Sequence, residues 1–117
     1  MAGAIQTKSR DFAVRIINCY VYLTKEKGEW VLSKQLLKSG TSIGANTRES
    51  KNAQSKADFL SKLNVALKEA DETLYWLDLL HATHFIDDKL SESLEKDCRE
   101  LIALLVSIVK TLKQDLE

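Results

Sequence analysis

The chain lacks proline, has only four glycines in 117 residues, and contains no long apolar run. Alanine, leucine, lysine and glutamate are abundant instead, which is the composition of long helices and disfavours an all-β fold. No apolar segment approaches the roughly 20 residues that a membrane-spanning helix needs. The N-terminal residues also lack the apolar core of a secretion signal. We therefore expect a cytoplasmic protein without a membrane partner.

Cysteine is scarce as well. Cys19 and Cys98 are far apart and match no close-spaced metal or redox motif. We interpret both as buried apolar thiols in a reducing compartment. A chain of this length can bury about two thirds of its unfolded surface without a disulfide or a metal. We predict one domain over residues 1–117, with residues 1–8 as a flexible N-terminal segment.

The net charge is zero, but the charges are unevenly distributed. Residues 33–68 carry seven basic side chains against two acidic ones, a net charge of +5, and residues 69–100 carry three against ten, a net charge of −7. This asymmetry predicts patches of opposite sign on one subunit. The basic patch can contact phosphates of RNA or DNA, remain solvated, or pair with the acidic helices of a neighbouring subunit. Its candidate residues are Lys34, Lys38, Arg48, Lys51, Lys56 and Lys62.

Apolar residues recur at steps of three or four in four segments, which predicts four amphipathic helices. The first runs from about Ser9 to Lys27, with Ile17 widening its apolar stripe, and Gly28 ends it. The third begins at Ser55, whose side chain can cap a backbone amide.

The second helix is predicted to start at Ser33, which can accept a hydrogen bond from a first-turn amide. The third ends near His84, and the fourth runs from Asp87 or Asp88 to about Leu116. Four helices with short connections predict an all-α, antiparallel, up-down-up-down four-helix bundle.

Two glycines occupy packing positions in the second helix. Gly40 shares a stripe with Leu36 and Ile43, and Gly44 lies beside it. Glycine inside a helix costs about 1 kcal/mol relative to alanine. The pair therefore indicates that something approaches the backbone closely, either a second helix or a ligand.

The apolar face of the fourth helix is wider than one packing seam requires. Beside the seam that includes Leu101 and Leu105, a second stripe contains Ile102, Val106 and Val109. We predict that this second stripe contacts another subunit, and a broad core within one subunit is the alternative.

Catalytic and metal-binding patterns are sparse. The two histidines, His81 and His84, lie on one helix, which rules out the paired Glu-x-x-His motifs of a di-iron bundle. We predict no metal, no cofactor and no catalytic residue. Glu69 and Glu72 are the alternative, as a carboxylate pair for acid–base chemistry. Helical acids are usually solvated or ion-paired, so we expect Glu69 to be partly buried and paired with Arg48 or a helix-terminal amide.

A distinctive pattern spans residues 42–80. It consists of Ser42, Gly44, Ala45, Asn46, Glu49, Ser55, Asp58, Phe59, Lys68, Glu69, Glu72, Thr73, Tyr75 and Trp76. The pattern resembles the family of small four-helix-bundle proteins encoded in intervening sequences of bacterial 23S ribosomal RNA genes.

The resemblance implies a homopentameric barrel. Relatives act as accessory proteins of diversity-generating retroelements, in which a basic surface binds nucleic acid and reverse transcriptase. This chain differs from them in its balanced charge. We predict a noncatalytic homo-oligomeric scaffold, a pentamer by resemblance, that contacts RNA or DNA through its basic second-helix region. A scaffold that binds only protein is the alternative.

Overall fold

The computed structural model of the protein describes residues 2–116, and the side chains of residues 3–115. Over this range the chain forms four helices and no strand: α1 (Ala2–Lys25), α2 (Leu32–Ser50), α3 (Lys56–Ala82) and α4 (Asp88–Leu116). Each helix packs on the next along the chain, and α4 returns to α1. The result is the predicted all-α, antiparallel four-helix bundle, with extents of 48 × 21 × 20 Å.

All four helices contribute large apolar side chains to one core. The largest fully buried side chains are Phe12, Ile16, Leu23, Leu36, Ile43, Leu63, Leu77, Leu80, Ile86, Leu94, Leu101 and Leu105. Burial of this apolar surface is the main favourable term that holds the helices together.

The N-terminal part of α1 differs from the prediction. The helix begins at Ala2 and not near Ser9, so residues 2–8, which were expected to be flexible, form its first two turns. Ile5 is buried and extends the apolar core about two turns beyond Phe12. The buried Ser9 hydroxyl lies 3.0 Å from the Thr47 hydroxyl of α2. Met1 lies outside the described residues.

The start of α2 also differs from the prediction, because Ser33 is inside the helix and does not cap it. The cap is the side chain of Glu29 in the preceding link. Its carboxylate accepts hydrogen bonds from the backbone N–H groups of Val31, Leu32 and Ser33, at 3.2, 3.0 and 2.6 Å. Burial raises the pKa of Glu29, but these hydrogen bonds outweigh burial and lower it.

The caps of α3 and α4 agree with the prediction. The Ser55 hydroxyl accepts a hydrogen bond from the Asp58 N–H at 3.1 Å, and the Asp58 carboxylate accepts one from the Gln54 N–H at 3.2 Å. For α4 the cap is Asp87, which accepts from the Leu90 N–H at 2.8 Å. These acids also lie at the positive ends of the helix dipoles.

The two glycines of α2 mark a close crossing with α1. A Cβ on Gly40 would lie 2.8 Å from both Cγ atoms of Ile16. A Cβ on Gly44 would lie 3.3 Å from the backbone oxygen of Ser9. The helix crossing, the first of the two predicted explanations, therefore accounts for both glycines.

Candidate functional site

Four of the six predicted basic residues share one side of the bundle. Lys34, Lys38 and Arg48 are exposed and lie within about 80° of one another around α2. Arg48 and the next basic residue, Lys51, line a groove between α1 and α2. The remaining two lie elsewhere.

Lys62 belongs to the seam between α2 and α3, where its Nζ is 4.0 Å from a Glu49 carboxylate oxygen. Lys56 is exposed at the first position of α3. The six residues therefore do not form one continuous surface. The spacing within one helix could be predicted from sequence, but the placement of α3 relative to α2 could not.

The α1–α2 groove has a volume of about 430 Å³. Its third cation, Arg10, was not among the predicted basic residues, because these all came from the positively charged segment 33–68. No carboxylate lines the groove among the residues that the structure describes. Its lining residues are Gln6, Thr7, Ser9, Arg10, Ala13, Thr41, Gly44, Ala45, Thr47, Arg48 and Lys51.

Most family-pattern residues on α2 have structural roles. Asn46 donates a hydrogen bond from its side-chain amide to the backbone oxygen of Ser42 at 2.8 Å. Gly44 allows the helix crossing, and Ala45 lines the groove. Glu49 faces Lys62 across the α2–α3 seam. These contacts stabilise α2 and its packing, and they form no catalytic arrangement.

The α3 part of the pattern centres on two aromatic side chains. The indole N–H of Trp76 donates to a Glu72 carboxylate oxygen at 3.1 Å. The Tyr75 ring lies 5.2 Å from the Trp76 ring, and Tyr75 is 55% exposed. Thr73 is buried and donates to the Ser39 hydroxyl of α2 at 2.9 Å. The aromatic pair thus gives α3 a partly apolar outer side, and Thr73 fixes α3 against α2.

The other pattern residues on α3 are simpler. Phe59 is half-buried and packs against the core, and Lys68 is exposed. Glu69 is half-buried as expected, but the structure forms no ion pair between its carboxylate and Arg48. That predicted pairing was wrong because Arg48 projects from α2 toward α1, whereas α3 packs on the other side of α2.

An apolar stripe runs along the outer side of α1. Val14, Ile17 and Val21 are each between 41% and 45% exposed. They recur at steps of three and four and lie about 100–160° around the helix from the core residue Ile16. The sequence interpretation assigned Ile17 to a widened core stripe, which was wrong. The spacing of Val14, Ile17 and Val21 was the signal that could have revealed a second stripe.

The second stripe of α4 is largely internal. Val109 is 6% exposed and belongs to the core, and Ile102 is half-buried and packs against it. Val106 is 46% exposed. Of the three residues predicted to contact another subunit, only Val106 faces outward. Ile102 and Val109 belong to the broad core within one subunit, which was the alternative.

The histidines and cysteines also have local explanations. His81 Nε2 lies 2.6 Å from Asp88 Oδ1, which connects the end of α3 to the start of α4. The hydrogen bond that protonated His81 donates to the Asp88 carboxylate raises the pKa of His81. Burial raises the pKa of Cys19 to about 11 and that of Cys98 to about 12. Both thiols are therefore protonated and poorly nucleophilic near neutral pH.

The bundle topology and the pattern on α2 and α3 define a class of small helical-bundle proteins. The chain belongs to the 23S rRNA-intervening sequence protein family, whose model matches residues 4–107. A similar solved structure is a protein of unknown function from the S23 ribosomal protein family of Bacteroides thetaiotaomicron VPI-5482. It is 54% identical, with a TM-score of 0.92, and the match covers 93% of this chain and 97% of that one.

None of the curated proteins compared matches the chain. Across residues 2–116, no helix is both long enough and apolar enough to cross a membrane.

Proposed function

We propose that the protein is a noncatalytic homo-oligomeric scaffold in which the outer side of α1 in one copy packs against the α3–α4 side of the next. The observation that carries this proposal is the exposed stripe of Val14, Ile17 and Val21. Contiguous apolar surface of this kind is typical of protein contacts. The family resemblance favours five copies.

Charge favours a second copy as the occupant of this stripe. Residues 1–51 carry nine basic and four acidic side chains, a net charge of +5, and residues 52–117 carry eight and thirteen, a net charge of −5. In the bundle, α1 and α2 lie opposite α3 and α4. The basic half of one copy can therefore face the acidic half of the next, which provides long-range attraction and fixes the register.

The α3–α4 side also offers apolar contact surface. Tyr75 and Val106 are exposed there, at 55% and 46%. An interface that joins two different surfaces is heterologous, and it closes into a ring when the rotation between copies permits. Both surfaces would then be buried in every copy.

The test is the molar mass in solution of two variants. Ile17→Glu places a charge in the stripe and should reduce the oligomer to the 13.2 kDa chain. The matched control is Tyr22→Glu, because Tyr22 is also on α1, is 38% exposed, and lies about 140° around the helix from Ile17. It should leave the mass unchanged. Circular dichroism should show the same helix content in both variants.

Two results would contradict the proposal. One is a wild-type chain that is monomeric at all accessible concentrations. The other is an oligomer whose mass is unchanged by Ile17→Glu, whatever the effect of Tyr22→Glu.

We also propose RNA or DNA as a second partner, bound along the side of α2 that carries Lys34, Lys38 and Arg48. In the described part of the chain none of these three cations has a carboxylate within ion-pair distance. With Lys51 they provide four phosphate contacts, for which log affinity should fall with log salt at a slope of about −3 to −4.

Paired substitutions test this second proposal. Changing Lys34 and Lys38 to Glu should abolish binding, whereas changing Lys110 and Lys113 on α4 to Glu should change it little. Equal losses in both variants, or affinity that does not depend on salt, would favour the scaffold that binds only protein.

The noncatalytic assignment is supported by the roles of the two candidate acids. Glu72 already accepts a hydrogen bond from the Trp76 indole, and Glu69 is half-buried with no histidine on its own helical turn. We place the protein in the cytoplasm, because its two buried cysteines are free thiols.

A further inference from the structure

We infer that the groove between α1 and α2 is a binding site for a phosphate-bearing ligand of nucleotide size. The groove shares Arg48 and Lys51 with the basic side of α2, but its other half is formed by α1. The inference therefore does not depend on oligomer formation or on a polynucleotide bound along α2.

The first argument is the charge of the lining. Arg10, Arg48 and Lys51 contribute three positive charges, and none of the described lining residues is acidic. Arg10 is 3.3 Å from its neighbour Asp11, an exposed pair that solvent screens strongly. Two guanidinium groups and an ammonium group suit a di- or triphosphate, because arginine binds phosphate oxygens through two parallel hydrogen bonds.

The second argument is size and shape. A volume of about 430 Å³ lies within the range of about 300–1,000 Å³ that small-molecule sites occupy. Ala13 and Ala45 provide short apolar walls, and Gly44 has no side chain. A phosphorylated ligand could thus place its phosphates among the three cations and an organic group against the alanines.

The third argument is that the base of the groove is already fixed by internal hydrogen bonds. The Ser9 and Thr47 hydroxyls lie 3.0 Å apart, and Thr47 donates to the backbone oxygen of Gly44 at 2.9 Å. Thr41 donates to the backbone oxygen of Leu37 at 2.7 Å, which leaves its hydroxyl oxygen able to accept. A ligand would therefore not have to order these side chains on binding, which reduces the entropic cost.

Two sources could supply the same phosphate chemistry. One is a free nucleoside diphosphate, and the other is the 5′-phosphate end of an oligonucleotide. The experiment is isothermal titration calorimetry of the full chain with ADP, pyrophosphate and adenosine. A parallel arm uses a 5′-phosphorylated oligonucleotide and the same oligonucleotide with a 5′-hydroxyl.

We expect saturable binding of pyrophosphate and ADP but none of adenosine, or a preference for the 5′-phosphorylated oligonucleotide over its 5′-hydroxyl form. Arg48→Ala should weaken that binding about tenfold or more, since one charged hydrogen-bonding partner is lost. The control is Lys110→Ala, which removes an exposed cation from α4, outside both the groove and the basic side of α2, and it should change affinity less than about twofold.

The inference is overturned if neither phosphate source binds saturably, or if Lys110→Ala weakens binding as much as Arg48→Ala does. The variant with Lys34 and Lys38 changed to Glu distinguishes RNA or DNA binding along α2 from phosphate binding in the groove. It should lose binding along α2 while it retains ADP binding in the groove.

Discussion

Replacement of Gly40 by alanine tests how closely α1 and α2 pack. The new Cβ would lie 2.8 Å from both Cγ atoms of Ile16 and 3.2 Å from its Cβ. Distances this short do not occur between real Cβ atoms and carbon neighbours, so the structure must shift. Ile16 is fully buried, and its Cγ atoms are bonded directly to Cβ, so they cannot swing away without a change of rotamer or backbone position.

Two opposing terms determine the size of the effect. Alanine in place of glycine within a helix gains about 1 kcal/mol. Overpacking of a buried site costs about 1–3 kcal/mol, to which a strained rotamer adds about 1 kcal/mol. We therefore expect Gly40→Ala to lower the free energy of unfolding by about 1–3 kcal/mol, with a fall in Tm of about 4 °C per kcal/mol.

Gly44→Ala is the matched control for this prediction. Its Cβ would meet the backbone oxygen of Ser9 at 3.3 Å, which a shift of a few tenths of an ångström relieves. It should therefore be at least about 1 kcal/mol more stable than Gly40→Ala in urea denaturation. Ile16→Ala should partly rescue Gly40→Ala, so that the double variant loses less than the two single losses combined. A Gly40→Ala variant as stable as the wild type would refute the proposed packing.

Three further predictions concern the helix ends and their titration. The pKa of Glu29 is lowered on folding, so the ionised side chain should stabilise the fold above pH 4.5, its ordinary pKa. This stabilisation should be lost as pH falls through the lower pKa of the folded state. Glu29→Gln should thus cost about 1 kcal/mol in urea denaturation at pH 7, and this difference from the wild type should shrink at pH 3. The pKa of His81 is raised on folding, so the protonated side chain should stabilise the fold below pH 6.5, its ordinary pKa. This stabilisation should be lost as pH rises through the higher pKa of the folded state. Asp88→Asn should move the pKa of His81, measured by NMR, back toward 6.5. Ser55→Ala should cost about 1 kcal/mol in the same denaturation assay through loss of the α3 cap, and an unchanged midpoint would contradict that role.

The sequence was most informative where periodicity and capping act within one helix. The spacing of core residues predicted four helices, and Ser55 predicted the start of α3 because this cap needs only local contacts. Gly40 and Gly44 predicted the close crossing, since glycine is costly in a helix unless its backbone is approached.

The misses involve contacts between segments. Glu29 is the exception, because its contacts with residues 31–33 are local, but the cap is this carboxylate and not the Ser33 hydroxyl that was predicted. Val109 turns into the core because α3 packs beside α4, and Ile17 turns outward because α2 and α4 occupy the other sides of α1. Arg10 joins the groove because α1 packs beside α2, a pairing that the pattern within α1 does not give. A periodic pattern gives the position of a residue around its helix, but not which neighbour covers that position.

The most direct test of the heterologous assembly mixes two defective chains and measures molar mass. One chain carries Ile17→Glu and retains an intact α3–α4 side, and the other carries Val106→Glu and retains an intact α1 stripe. Each should be monomeric alone at 13.2 kDa, and an equal mixture should form a dimer of twice that mass, because one intact interface remains between them. A mixture that stays monomeric while the wild type assembles, or a single variant that assembles alone, would contradict contact between these two surfaces.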